Sequence, residues 1–349
     1  MRSVRAPRRP LRAGFAAALA LLGAAALTGA SASGGAGPAK TGPSWETLPP
    51  SKLARTEVVA ARAGGLIYVV GGFAGGGVAQ SAAVERYDPR AREWTSTAPL
   101  PTTLNHAGAV GWRGDLYVFG GFIAAPVVGA DRLSDRLFRY DAATDSWSEL
   151  ASAPVPRSSF AAGVIGGRLY VAGGSTPEAQ KTNRLDVYSF RRDRWREGPP
   201  MTVAREHLAG AVAGRAGSKR LYALGGRDVY GSDNYSTVER YDPRRRRWRR
   251  LPDMGVPHGG FGAAGVGRRV VAVGGERPGE GATGTIPVAE LYSPRLRRWT
   301  RLPDLPTPRH GLGVAAVGRT VFALEGGPIT FASVSNAAEA LTLPGRRPR

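Results

Sequence analysis

Cysteine is absent from all 349 residues. That excludes a disulfide scaffold, a lipid-anchored cysteine and any chemistry that runs through a thiol, while remaining compatible with an oxidising exterior. Histidine is scarce, with four residues, His106, His207, His258 and His310. Acid is scarce relative to base: 27 Asp and Glu stand against 48 Lys and Arg, a formal net charge of +21. No apolar run reaches the ~20 residues that a membrane-spanning helix requires. The longest, 13–27, follows Arg2, Arg5, Arg8, Arg9 and Arg12 and leads into Ala30-Ser31-Ala32. Charge, short apolar core and small-residue site in that order predict a secretory leader over 1–32, cut after Ala32, and a secreted, extracellular protein with no transmembrane segment once mature. Arg8-Arg9 also suits twin-arginine export, but Pro10 and its neighbours match that signal poorly, and the route stays open. Residues 33–43 are Gly-rich and expected to be a disordered lead-in. No nucleotide loop, HExxH helix or nucleophile elbow occurs; Gly75-Gly76-Gly77 reads as loop.

What the chain has in quantity is a repeat. The hexapeptide LYVFGG at 116–121 recurs as LIYVVGG ending at Gly72, LYVAGG at Gly174, LYALGG at Gly226, VVAVGG at Gly275 and, altered, VFALEGG at Gly327. Tyr87, Tyr140, Tyr188, Tyr241 and Tyr292 follow the first five copies, and Trp94, Trp147, Trp195, Trp248 and Trp299 stand seven residues after each tyrosine. From tryptophan to the next glycine pair is 26 residues after Trp94, Trp147 and Trp248 and 30 after Trp195. Self-similarity at about 50 residues marks a repeat architecture. The invariant Tyr-to-Trp distance implies two strands joined by a turn of fixed length, opened by Asp-Pro or Ser-Pro in YDPRAREW and YSPRLRRW. The glycines close a strand where another backbone or ring approaches too closely for a Cβ. Four strands per repeat follow, for example 107–111, 116–119, 137–140 and 147–150. Such sheets cannot each bury two faces alone, so they must pack face to face around an axis.

A double glycine, a tyrosine and a tryptophan at these separations resemble the kelch-repeat family. The resemblance covers nearly all of the chain after residue 43 and implies an all-β, six-bladed kelch-type β-propeller of four antiparallel strands per blade over 44–344, with a basic tail at 345–349. Trp45 lies 26 residues before Gly71 and has no blade of its own, whereas in the last copy Leu341 takes the tyrosine's place and Pro348 the tryptophan's. The N-terminal strand is therefore expected to close the last blade as its outer strand, leaving no free inner edge.

All but four of the basic residues are arginine, a bias that a G+C-rich genome produces without any partner. Removing the leader's five arginines lowers the net charge to about +16. The inner hairpins and Tyr-to-Trp turns fall on one face and carry much of this charge, as at 191–194, 244–250 and 295–298. An anionic cell-wall polymer suits that face electrostatically, and so does plain solvation of Arg-rich turns. Nucleic acid is disfavoured, because no aromatics interleave with the basic residues. Arg113-Gly114-Asp115 spells an adhesion tripeptide but occupies a hairpin tip where Gly and Asp serve the turn. Trp112 beside it either makes an exposed contact or covers the neighbouring hairpin.

The opposite face carries the loops that vary in length and chemistry, where recognition usually lies on a rigid scaffold. The resemblance implies ligand binding there, at the mouth of the central channel. Sixteen residues before each glycine pair stand Arg55, Leu104, Arg157 and His258; Arg205 takes the same place once the four extra residues of the 214–220 hairpin are removed, and Arg309 precedes the altered copy. Arg55, Arg157, Arg205, His258 and Arg309, with Asn105, His106, His207 and His310, are the candidate ligand contacts. A ring of Arg and His suits a carboxylate or other anion; packing and hydrogen bonding within the blade is the competing reading. A metal site is not expected, since the four histidines belong to different blades while metal ligands must converge to about 2 Å of one ion. No cofactor is expected.

In the last copy, either Glu325 replaces the first glycine or one residue is inserted. In the first case its carboxylate is expected beside the channel near Arg309, as an acid–base group or a structural ion pair. The leading reading is a secreted binding module, acting as a monomer, whose partner is an extracellular protein, a glycan or an anionic cell-wall polymer. The alternative is an enzyme resembling the sialic-acid mutarotases, with Glu325 or Glu206 as base and Arg55, Arg157, Arg205 and Arg309 holding the carboxylate. A copper oxidase of the galactose-oxidase kind needs a cysteine–tyrosine cross-link, which the composition excludes.

Overall fold

Each repeat folds as one four-stranded antiparallel sheet, six in all. The inner strands touch in sequence order, and the sixth returns to the first, which closes the ring. The computed structural model describes residues 42–124, 132–178, 181–228, 233–277, 279, 281–331 and 333–345. The expected leader 1–32, the lead-in as far as 41 and residues 346–349 of the basic tail lie outside the described residues. Among the described residues no helix is long and apolar enough to cross a membrane.

Blade 1 shows the common plan: an inner strand Val59–Ala63, a second strand Leu66–Val70, the tyrosine strand Val84–Asp88 and the outer, tryptophan strand Glu93–Ser96. The second strand has neighbouring blades on both faces, and Ile67, Tyr68, Val69 and Val70 are all buried. This accounts for its unbroken apolar run where a half-exposed strand would alternate. The core is therefore six interblade layers. Ile67 and Val69 of blade 1 pack with Phe322 and Leu324 of blade 6, and Val271 and Val273 of blade 5 with Val321 and Ala323. Toward the axis the blades converge until only small residues fit. A Cβ on Gly111 would come within 1.9 Å of the Arg62 carbonyl oxygen of the preceding blade.

The tryptophans tie the blades together from outside. Trp94, Trp147, Trp195, Trp248 and Trp299 each donate Nε1–H to a carbonyl just beyond the preceding blade's outer strand, at 2.8–3.0 Å. Trp45 does the same to Pro303, past the end of blade 5. Its strand, Trp45–Thr47, is the outer strand of blade 6 and pairs antiparallel with Ala338–Thr342, Trp45 opposite Leu341. The expected closure by the N-terminal strand is what the structure shows. Trp112 covers its neighbouring hairpin, with its ring stacked on Phe190 at 5.7 Å and 10°.

Glu325 stands where the other blades have their first glycine. Its amide donates to Ala337 as that of Gly71 does to Ala83, and Gly326 donates to Arg55 as Gly72 does to Leu104. Its φ of 56° matches 65° at Gly71. No residue is inserted; a glutamate occupies a left-handed position.

Candidate functional site

Three consecutive residues of each approach segment, between the outer strand of one blade and the inner strand of the next, divide the work. The first belongs to the register of Arg55, Leu104, Arg157, Arg205, His258 and Arg309. The structure turns all six side chains into the blade. The four arginines and His258 are completely buried. Each faces the acid at the second residue of its own blade's tyrosine strand: Arg55 pairs with Glu85 at 3.1 Å, Arg157 with Asp186, Arg205 with Glu239 at 3.3 Å and Arg309 with Glu339 at 2.5 Å, and His258 Nε2 lies 3.5 Å from Glu290. The arginines also donate to strand-end carbonyls, as Arg55 does to Gly71 and Ala83. In blade 2 the same two positions hold Leu104 and Phe138, both buried. These residues brace the blades, and none of them reaches the mouth.

Glu325 belongs with this set. Its carboxylate accepts from Arg55 Nε and Nη2, both at 2.9 Å, while only its backbone carbonyl accepts from Arg309, at 2.7 Å. The partner of the carboxylate is thus Arg55, not the expected Arg309, because a side chain leaving the first glycine position faces the next approach segment. Burial raises the Glu325 pKa to about 7; Arg55 opposes this, and Glu85, sharing the same guanidinium, adds to it.

The second residue of each segment forms a two-residue bridge with the residue after the glycine pair: Thr56 with Phe73, Asn105 with Phe122, Ser158 with Ser175, Glu206 with Arg227, Gly259 with Glu276 and His310 with Gly327. The third residue is Glu57, His106, Ser159, His207, Gly260 or Gly311, and all six have φ between 49° and 58°. Non-glycine residues held there carry strain of about 1 kcal/mol or more, a feature that concentrates at functional sites. Backbone bonds link these third residues around the axis: His106 N–H donates to Glu57, Ser159 to His106, Gly260 to His207 and Gly311 to Gly260.

The second and third residues, with those after the glycines, make the mouth. Glu57 Oε2 lies 3.2 Å from His106 Nε2, and Glu57 Oε1 lies 3.5 Å from His310 Nε2. The rings of His106 and His207 meet edge to face at 4.9 Å, because Ser159, between them around the ring, is small. His207 Nδ1 contacts Glu206, whose other oxygen accepts from Arg227 Nε at 2.6 Å, and Arg227 also pairs with Glu276. Above this floor opens a cavity of about 730 Å3, walled by Phe73, Phe122, Leu133 and Phe331.

Burial works to raise the Glu57 pKa, but the facing His106, His310 and His207 and then Arg227 hold it below the ordinary carboxylate value. Burial lowers that of His106 to about 4 against the pull of Glu57, so the imidazole is neutral at pH 7. Glu206 is held low despite burial by His207 and Arg227, and Arg227 is raised despite burial by Glu206 and Glu276.

Of the candidate contacts, then, His106, His207 and His310 come together at the mouth, with Glu206, and Asn105 stands buried behind His106. Arg55, Arg157, Arg205, His258 and Arg309 do not reach the mouth. Sequence reasoning missed Glu57, Arg227 and Glu276. The signal lay two residues after the arginine register and directly after each glycine pair. It also kept the histidines apart by blade, whereas His106 and His207 touch across a channel narrow enough for blades 2 and 4 to meet.

A family model described as the KLHDC2/KLHL20/DRC7 Kelch-repeats domain matches residues 57–275. The chain is 28% identical over 317 residues to Kelch-like protein terF of Aspergillus terreus, covering 86% of this chain and 68% of that protein. It is 32% identical over 185 residues to human Kelch repeat and BTB domain-containing protein 12, of which it spans only 29%. In fold it is similar to a solved structure titled Structure of YjhT, with a TM-score of 0.69 at 16% identity, covering 83% of this chain and 95% of that one.

Proposed function

This chain belongs to the kelch-repeat β-propeller family, and from that premise we propose that it is an exported binding module holding a hydroxyl-rich, carbohydrate-like ligand at the mouth of its channel. The cleft's two-sided lining carries this reading. Phe73 and Phe122 offer apolar faces on the side of blades 1 and 2, and Glu206, Arg227 and Glu276 offer hydrogen-bonding groups on the side of blades 4 and 5. A cavity of about 730 Å3 lies within the usual range of ~300–1,000 Å3 for small-ligand sites. On the floor the carboxylates Glu57, Glu206 and Glu276 outnumber the single guanidinium of Arg227, which suits hydroxyl donors better than an anion.

The arginines on which an anionic ligand and a sugar-acid mutarotase both rested are buried in ion pairs, and so is Glu325; of that reading's groups only Glu206 reaches the cleft. Export rests on residues 1–32, and action as a monomer on a ring that closes within one chain.

A glycan-array screen followed by calorimetry tests the reading, with Phe122→Ala expected to weaken the best glycan about tenfold, or ~1.4 kcal/mol. The exported protein should begin at Ser33. Absence of any glycan binding, or equal affinity in the variant, would end the carbohydrate reading. Capture of an extracellular protein, or salt-sensitive binding of an anionic polymer by the turns at 244–250, would replace it.

A further inference from the structure

We propose that Glu57, His106 and His207 bind one divalent transition-metal ion of the zinc class at the channel mouth, with a coordination position left open to the cleft. One ligand atom from each of the three lies within 4.8 Å of the other two. All three are non-glycine residues held at φ 49–52°, at the third position of their approach segments.

The imidazoles are oriented for it. His106 Nδ1 is 2.5 Å from Asn105 Oδ1, and His207 Nδ1 contacts a Glu206 carboxylate oxygen. Both partners are acceptors, so each Nδ1 donates to its own neighbour and Nε2 is the ring nitrogen left to face an ion. His106 Nε2 faces Glu57 Oε2 at 3.2 Å. His310 repeats the pattern from the far side: its Nδ1 donates to the Gly327 carbonyl at 3.0 Å, and its Nε2 faces Glu57 Oε1 at 3.5 Å. A cation held between these nitrogens and the Glu57 carboxylate would be shared by all of them. Glu206, itself fixed by Arg227, stands behind His207 as a carboxylate behind a ligating histidine commonly does.

Two imidazoles and one carboxylate select a borderline ion of the zinc kind over calcium or magnesium, which take oxygen ligands. Ligand atoms at about 2 Å from one ion stand closer together than 4.8 Å, so the rings must swing slightly inward. Phe73 and Phe122 both pack against His106 with their rings near perpendicular to it, at 6.3 and 5.8 Å.

The test uses tag-free full chain stripped with chelator, then titrated with Zn2+ by calorimetry and with Co2+ by visible absorption. One ion per chain is expected, with cobalt bands of a nitrogen-containing site. His106→Ala, His207→Ala and Glu57→Gln should each weaken binding at least about 100-fold, and Glu206→Gln about tenfold. Urea midpoints establish that each variant is folded. The wild-type cobalt spectrum stands on its own if one is not. No binding by the wild type at pH 7, binding that survives all three ligand substitutions, or preference for Ca2+ or Mg2+ would overturn the proposal.

Discussion

A glutamate in a position that the repeat gives to glycine must satisfy both its backbone and its charge. Glu325 holds φ at 56°, and its carboxylate is wholly buried against Arg55. Arg55 also faces Glu85, so one guanidinium serves two acids. Glu325→Gly keeps the left-handed backbone and leaves Arg55 paired as its counterparts in blades 3, 4 and 6 are. Glu325→Ala keeps the strain, of about 1 kcal/mol, and loses the carboxylate as well. In urea denaturation the alanine variant should therefore be the less stable by roughly that amount. The pH dependence follows from the folded-state pKa of about 7, raised above the ordinary value of 4.5 chiefly by burial. An acid whose pKa is raised on folding stabilises fully below its unfolded pKa and progressively less as pH climbs through the folded one. Wild-type stability should fall between pH 4.5 and 7 relative to Glu325→Gln, and parallel curves for the two proteins would count against this.

Within a blade, the approach segment and the tyrosine strand exchange one interaction in two chemistries. Four blades use a buried arginine and acid, and blade 5 uses His258 and Glu290; blade 2 uses Leu104 and Phe138. Either member introduced alone leaves an uncompensated buried charge, at a cost of about 3–5 kcal/mol. Leu104→Arg and Phe138→Glu should each destabilise by that much, while the double variant recovers a coupling of at least ~2 kcal/mol in a double-mutant cycle; strict additivity would mean the two sites do not meet in blade 2. Strand order and blade number were legible from sequence because Gly-Gly, Tyr and Trp recur for reasons of backbone approach and interblade contact that every blade shares. The site was legible in part. The register brought out His106, His207, His310 and Asn105, but it also credited the mouth with arginines whose complement, Glu85, Asp186, Glu239 and Glu339, lies at the second residue of the tyrosine strand. Spacing alone does not tell which way a side chain leaves an extended segment. The left-handed residue two places on, which aims Glu57 at the axis, shows in sequence only where it is glycine, as at Gly260 and Gly311.

At the scale of the molecule, five blades are continuous hairpins, and the sixth is assembled from the two ends of the described chain. Its outer strand contributes three residue pairs, Trp45–Leu341, Glu46–Ala340 and Thr47–Glu339, together with the Trp45 bond to Pro303 and the buried Leu48, whose amide donates to Ala338. Each of the other outer strands is tethered to its own blade by a turn; this one runs on into blade 1 and is joined to its own blade by contacts alone. Opening should therefore begin at the seam between blades 5, 6 and 1. Deleting residues 42–48 strips the Ala338–Thr342 edge and uncovers Leu341, at a cost on the order of 4 kcal/mol, whereas a chain beginning at residue 42 keeps every one of these contacts. Hydrogen exchange followed by mass spectrometry should then show protection lost first over 313–324 and 338–342, with the tryptophan strands of blades 2 to 4 following only at global unfolding. A synthetic peptide covering 42–50 should restore the lost protection. Equal loss in all six blades would mean that the ring opens anywhere, and that the strand at its seam is an ornament of the closed state rather than its fastening.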